Sequence, residues 1–284
     1  MSNLTFGSQL KSLTELASNL SAVSEVRDNL QVVSSTWGRP STILPVCALL
    51  TVLNKQVGIE HQSNKSEFVS YLKIIKFPVG VGSPNYSQAK SYLPIARVTL
   101  PERNEELNQV AGEYGKLILS QTEFGDRSDL ITAIHYLFGE MTTNVVEHAR
   151  ASNYWLLAQK WKNGWIEFCI VDDGMGIRNR FAEEGILYAS DKEAVTEAIQ
   201  GTSVKSNGSE NPSERGYGLG SSIKVLTGSE FQGSFALISG EAVYTKKHGQ
   251  EPEIVGFPFS WPGVIIVGRL KFPSESFDMY KYLG

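Results

Sequence analysis

Apolar positions along the first ninety or so residues change their period several times. A largely polar stretch from Leu10 to Leu30, LKSLTELASNLSAVSEVRDNL, has the spacing of a helix, and Leu30 to Ser34 reads as a short strand. The nearly unbroken apolar run Ile43 to Leu53 predicts a buried helix, and VGIEHQ a further strand. From Glu67 to Ile75, Phe68, Leu72 and Ile75 recur at amphipathic spacing. This alternation predicts a small α/β layer. Pro78, Gly80, Gly82, Pro84 and Pro94 make Lys76 to Pro94 an irregular connection, so a first domain spans 1–94 and a second 95–284.

The second domain opens with ARVTLPE, followed by helical patterns over Asn104 to Gln121 and Ser128 to His148. Strand-like runs follow at Tyr154 to Lys160, Trp165 to Val171, Gly233 to Ser239 and Gly263 to Lys271. A polar segment from Arg178 to Arg215 separates the second run from the third, and its part GTSVKSNGSENPSERG has the composition of a mobile loop.

Composition narrows the setting. The 284 residues carry 26 Lys and Arg against 30 Asp and Glu, a formal charge of -4, so no whole-chain basic field indicates nucleic acid. No run approaches the ~20 apolar residues of a membrane helix, and the N-terminus lacks a signal-peptide pattern, so a cytoplasmic protein without membrane contact is expected. Cys47 and Cys169 lie in apolar runs and read as reduced core residues. His61, His135, His148 and His248 show no metal-ligand spacing.

Three motifs carry candidate chemistry. In Glu140-Met-Thr-Thr-Asn144-Val-Val-Glu-His148, positions 140, 144 and 148 follow one another at i, i+4, beside the apolar stripe Ile134, Leu137, Phe138, Met141 and Val145. This fits either a pocket wall or a solvated helix face. Next, a buried-looking strand runs into Asp172-Asp173-Gly174-Met175-Gly176, where an aspartate can accept from an exocyclic amine and glycines admit a flat ring, although Asp-Asp-Gly also makes an ordinary turn. Finally, Arg215-Gly216-Tyr217-Gly218-Leu219-Gly220 leads into a helix-like SSIKVLTG, whose N-terminus would present free N–H groups to phosphate. The strand required before a dinucleotide fingerprint is missing here, and no P-loop occurs.

Taken in order, E-x-x-x-N on a helix, D-x-G-x-G after a strand and G-x-G-L-G after a polar segment resemble the boxes of the superfamily of gyrase B, Hsp90, histidine kinases and MutL, over roughly residues 95–273. The resemblance is nearest in motif style to the anti-sigma serine kinases. It implies an α/β protein with a Bergerat-type sandwich: a mixed sheet with helices on one face. Bound ATP and Mg2+ are implied, with Asn144 as the metal ligand, Asp172 on the adenine amine and Gly174 and Gly176 shaping the base pocket. Segment 178–215 would be an ATP lid, Gly216, Gly218, Leu219 and Gly220 would hold phosphates, and Lys205 and Arg215 could pair with them. Glu140 takes the position of a general base, which favours hydrolysis or hydroxyl phosphorylation over a histidine nucleophile. His148 closes the first box, where a structural hydrogen bond is expected.

One position departs from the pattern. The hydroxyl that usually supports the adenine aspartate is replaced by Val264, with Ser260 or a water as the expected substitute. Residues 28–82 resemble a STAS-like domain, the fold of anti-sigma-factor antagonists. Its phosphoacceptor position falls on Ile43 or Pro45, with Ser41 and Thr42 nearby, so a docking module is expected. His135 shares a helix with Glu140 and stands apart from any dimerisation helix pair, which argues against a two-component sensor kinase. Two functions stay open: an ATPase or protein serine/threonine kinase, and a nucleotide-gated interaction module with little turnover. A protein partner or a homodimer is expected with either.

Overall fold

The computed structural model describes residues 2–5, 13–34, 38–55, 58–63, 66–87, 92–100, 104–120, 127–161, 163–200 and 218–282. The chain begins with alternating strands and helices: β1 (Ser2–Thr5), α1 (Leu13–Glu25), β2 (Asn29–Ser34), α2 (Pro40–Val52), β3 (Gly58–Ser63) and α3 (Ser66–Ile74). The strands lie in the order β1-β2-β3 and pair in parallel. Apart from β1, which is too short and polar to give a periodic signal, these are the elements the pattern predicts. Helix α2 starts with Pro40, where the missing N–H would be unpaired anyway. Thr42 exchanges hydrogen bonds with the backbone of Arg39, at 3.1 and 3.0 Å. Pro40 to Leu50 are buried without a polar face, as befits a helix covered on all sides.

The second part contains β4 (Ala96–Thr99), α4 (Asn104–Leu119), α5 (Ser128–Asn144), β5 (Asn153–Lys160), β6 (Trp165–Asp172), α6 (Gly176–Glu183), α7 (Asp191–Ile199), α8 (Gly218–Thr227), β7 (Ser234–Lys247) and β8 (Glu253–Lys271). The chain is therefore mixed α/β. Its five-stranded sheet has the order β4-β5-β6-β8-β7, and each of these ladders is antiparallel, where the resemblance led to a mixed sheet. Strands β7 and β8 continue past the expected Gly233 to Ser239 and Gly263 to Lys271 as a hairpin. Pro258 and Pro262 lie inside β8; both are exposed, and Pro262 falls at an irregularity where no ladder N–H is needed. Within the polar stretch from Arg178, α6 and α7 are helical up to Ile199, and 201–217 lie outside the described residues.

Both faces of the sheet are covered. Tyr154, Leu156 and Ala158 of β5 point to a core shared with α4, α5 and α8, including Tyr114, Phe138 and Leu226. The alternate residues Trp155 and Leu157 belong to a second core, with Leu20 of α1 and Cys47 of α2. The regions 1–94 and 95–284 thus have separate sheets but share an apolar layer. Both cysteines are free and buried, and burial pushes the Cys47 thiol up to about 12, which leaves it unreactive. No helix among the described residues is long and apolar enough to cross a membrane.

A polar clamp fixes this shared layer. Glu167, 2% exposed, accepts from Ser41 N–H at 3.2 Å, from Ser41 Oγ at 2.7 Å and from Arg39 Nη1 at 3.2 Å. The carboxylate therefore sits on the positive end of α2 and pairs with a guanidinium. Removing one member of such a buried pair strands the other. Glu167→Ala should lower the unfolding free energy by roughly 3 kcal/mol in urea titrations. Glu167→Gln, still able to accept from Ser41, should lose clearly less.

Candidate functional site

The site is built where α5, the end of β6 and the start of α8 meet. On α5, Leu130, Ile134, Leu137, Phe138 and Met141 are buried, which leaves Glu140 and Asn144 half-buried on a neighbouring row one turn apart. The helix then widens into a π turn over Val145–Ala149, a local expansion often found at functional positions. His148 lies within this π turn and is half-buried. Its Nε2 lies 3.8 Å from Glu147 Oε2, and burial lowers its pKa against the pull of that carboxylate. The Asn144 side chain makes no capping bond at the junction.

Strand β6 delivers Asp172 to the same place, 2% exposed. Its Oδ1 accepts from Gly174 N–H at 2.9 Å and Val264 N–H at 3.2 Å, which leaves Oδ2 for a further donor. Burial pushes this carboxyl up to about 7; the two N–H donors oppose the rise and Asp173 adds to it. Asp173 has a different task. It takes Ser152 N–H at 2.8 Å, Asn153 N–H at 2.7 Å and the Asn153 amide at 2.7 Å, fastening the start of β5.

The glycines after Asp172 are set by close approach. A β-carbon on Gly174 would lie 2.2 Å from the Ala149 carbonyl oxygen, and that carbonyl accepts from Met175 N–H at 2.9 Å. The end of the π turn is thereby sewn to the loop after β6. Gly176 has φ +75, a left-handed conformation that favours glycine.

Ser260, expected to replace the missing hydroxyl at Val264, is exposed. The buried hydroxyl at this loop is Ser239 of β7, which accepts from Ile177 N–H at 3.0 Å and donates to the Gly263 carbonyl at 3.2 Å. Sequence reading missed it because β7 meets the loop only through tertiary pairing; nothing local to Ser239 marks it.

Helix α8 completes the arrangement. Gly218, its first residue, has φ +61, and its N–H donates to the Glu140 carboxylate. Burial raises the pKa of Glu140, this bond opposes the rise, and Glu147 reinforces it. A β-carbon on Gly220 would come within 2.9 Å of the Ile199 carbonyl, so α8 starts against the end of α7. Leu219 is half-buried and packs on the sheet's helical core. Glu140, Asn144, Asp172, Gly174, Gly176, Gly218, Leu219 and Gly220 therefore come from segments that meet; Lys205, Arg215 and Gly216 lie outside the described residues.

Chemically, the region offers a half-buried carboxylate, an amide with no capping duty, a buried acceptor and the N–H-bearing end of a helix. Among the described residues, no group of three or more His, Cys, Asp or Glu is placed to hold a metal ion. Comparisons with protein-family models, curated proteins and solved structures give no match to this chain.

The raised pKa of Asp172 makes a signed prediction. The unfolded carboxyl ionises near 3.8 and the folded one near 7, so its contribution to stability is intact below 3.8 and falls away as pH rises to 7. Asp172→Asn removes this titration. Its stability relative to wild type should improve between pH 4 and pH 8 by about 2–4 kcal/mol, read from paired denaturant titrations.

Proposed function

We propose that the chain is a Mg2+- and ATP-binding regulatory protein of the gyrase, Hsp90, histidine kinase and MutL superfamily, with a Bergerat-type sandwich in its second part. In this reading it hydrolyses ATP or phosphorylates a protein serine or threonine. The observation that carries the reading is the meeting of three segments far apart in sequence. Gly218 N–H on Glu140 and Met175 N–H on Ala149 draw 140–149, 172–176 and 218–220 around one place.

Each residue then has a physical task. Asp172 Oδ2 accepts from the adenine amine, and Gly174 and Gly176 keep side chains out of the base's path. Asn144 holds Mg2+, a hard cation that takes its other oxygens from phosphate and water. The N–H groups of Gly218, Leu219 and Gly220 face the phosphates at the positive end of α8. Glu140 takes the proton from the attacking water or hydroxyl; the burial that raises its pKa makes it a stronger base. On this proposal the first part of the chain is STAS-like. Ser41, fully buried with its Oγ on Glu167, fits a docking role better than that of a phosphoacceptor.

Two observations favour the second reading, a nucleotide-gated interaction module with little turnover that engages a protein partner or a second copy of itself. The Glu140 carboxylate is already engaged by α8, and Val264 places no hydroxyl beside Asp172.

Phosphate release separates the two. Under the enzymatic reading, Glu140→Ala cuts magnesium-dependent turnover by about 10²–10⁴-fold while ATP still binds. Binding without turnover in wild type selects the module, and turnover indifferent to the substitution removes Glu140 from the chemistry. Asn144→Ala should abolish the magnesium-dependent part of ATP affinity in calorimetric titrations. Failure of wild type to bind ATP overturns the proposal.

A further inference from the structure

The carboxylate that would read the base is gripped from behind by an irregularity in β8. Ser239 of β7 pairs with Val264 and Gly240 pairs with Trp261, so Pro262 and Gly263 bulge out of the ladder. Bulges next to active sites commonly re-aim a side chain, and this one re-aims two groups. Gly263 is pressed onto Asp172 so closely that a β-carbon would lie 2.3 Å from the Asp172 carbonyl oxygen. The Trp261 indole turns inward, 1% exposed, and its Nε1–H donates to that same carbonyl at 3.0 Å.

The other side of the indole faces a different structure. Trp261 belongs to the core of the sheet's second face, together with Leu20 and Val23 of α1 and with Phe257 of β8. Helix α1 packs directly on β8. A single buried side chain thus has its apolar surface in the layer contributed by the first part of the chain and its polar atom on the backbone of Asp172. Val264 N–H, immediately after the bulge, holds the carboxylate itself. Any shift of α1 against β8 therefore reaches both the carbonyl and the carboxylate of one residue.

We infer that Trp261 is a positioning residue that links base recognition at Asp172 to the packing of the N-terminal layer, an inference that rests on the nucleotide reading above. Linkage is reciprocal: packing that aligns Asp172 favours the nucleotide, and the bound nucleotide tightens the packing. This gives the N-terminal layer a way to report on, or to set, occupancy of the nucleotide site. The link needs no moving loop.

Trp261→Phe keeps an aromatic ring in the core and deletes the donor. Calorimetric titrations of wild type and variant with ATP and GTP, in magnesium, are paired with hydrogen–deuterium exchange of α1. ATP affinity should fall about five- to tenfold, the worth of one hydrogen bond. GTP affinity should scarcely move, so the preference for adenine narrows, a change that general loosening of the core would not produce. ATP should slow exchange in α1 at least about threefold in wild type and not in the variant.

Val23→Ala approaches the link from α1 and serves if Trp261→Phe loses its cooperative unfolding transition. It should lower ATP affinity about two- to threefold. Wild type that binds ATP, with unchanged base preference in Trp261→Phe, unchanged affinity in Val23→Ala and the same protection of α1, overturns the link and leaves the nucleotide site standing. No ATP binding by wild type overturns the nucleotide reading and the link with it.

Discussion

Burying β6 on both of its faces obliges the chain to supply two separate apolar layers, and most of the architecture follows from that demand. Residues Ile166 to Asp172 are buried without interruption, alternating between the core of α4, α5 and α8 and the core of α1 and α2. A sheet covered on one side only would leave Trp155, Cys169, Val171 and Trp261 facing water. The first part of the chain removes that exposure, and Glu167 fixes its position through the N-terminus of α2. Polar groups in such a layer must be fully matched, since an unpaired carboxylate there costs more than its pairing contributes.

The same burial gives the end of β6 its chemistry. A strand that leaves the core at its last residue carries its side chain with it, so Asp172 keeps an aspartate's acceptor geometry in surroundings that resist its charge. Neighbouring backbone N–H groups, with no mobile side chains between, offset part of that resistance. Glu140 is treated in a milder way: half-buried, it is answered by a single N–H at the start of α8. Burial is the leading cause of the rise in both carboxyls, and neighbouring N–H groups and carboxylates adjust each of them differently.

Much of this was legible in the amino-acid order, for identifiable reasons. Helix α2 announces itself through an apolar run too long for a strand, and α5 through its 3.6-residue stripe. The glycine motifs stand out in the sequence for the close approach they allow; at Gly174 and Gly220 that approach is to the chain's own Ala149 and Ile199 carbonyls. What stayed hidden depends on partners distant in sequence. Ser239 and Trp261 matter through the register of β7 on β8, and Glu167 through its contact with Ser41, 126 residues away. The sheet's second cover also escaped notice, because alternation predicts that a face is apolar and not what lies on it. Helices α6 and α7 were lost in a polar stretch whose composition outweighed its weak period.

The π turn at Val145–Ala149 has a consequence for how this fold tolerates change. A π turn holds one residue more than an α-helix needs over the same path, so the segment behaves as a spare link let into α5. Deleting that link would let the helix run on regularly and draw the Ala149 carbonyl away from Met175 by about one residue's rise of 1.5 Å. The junction between helix and loop is thus set by the count of residues, with their chemistry second. Side-chain substitutions across 145–149 should be absorbed far more readily than a change of length by one.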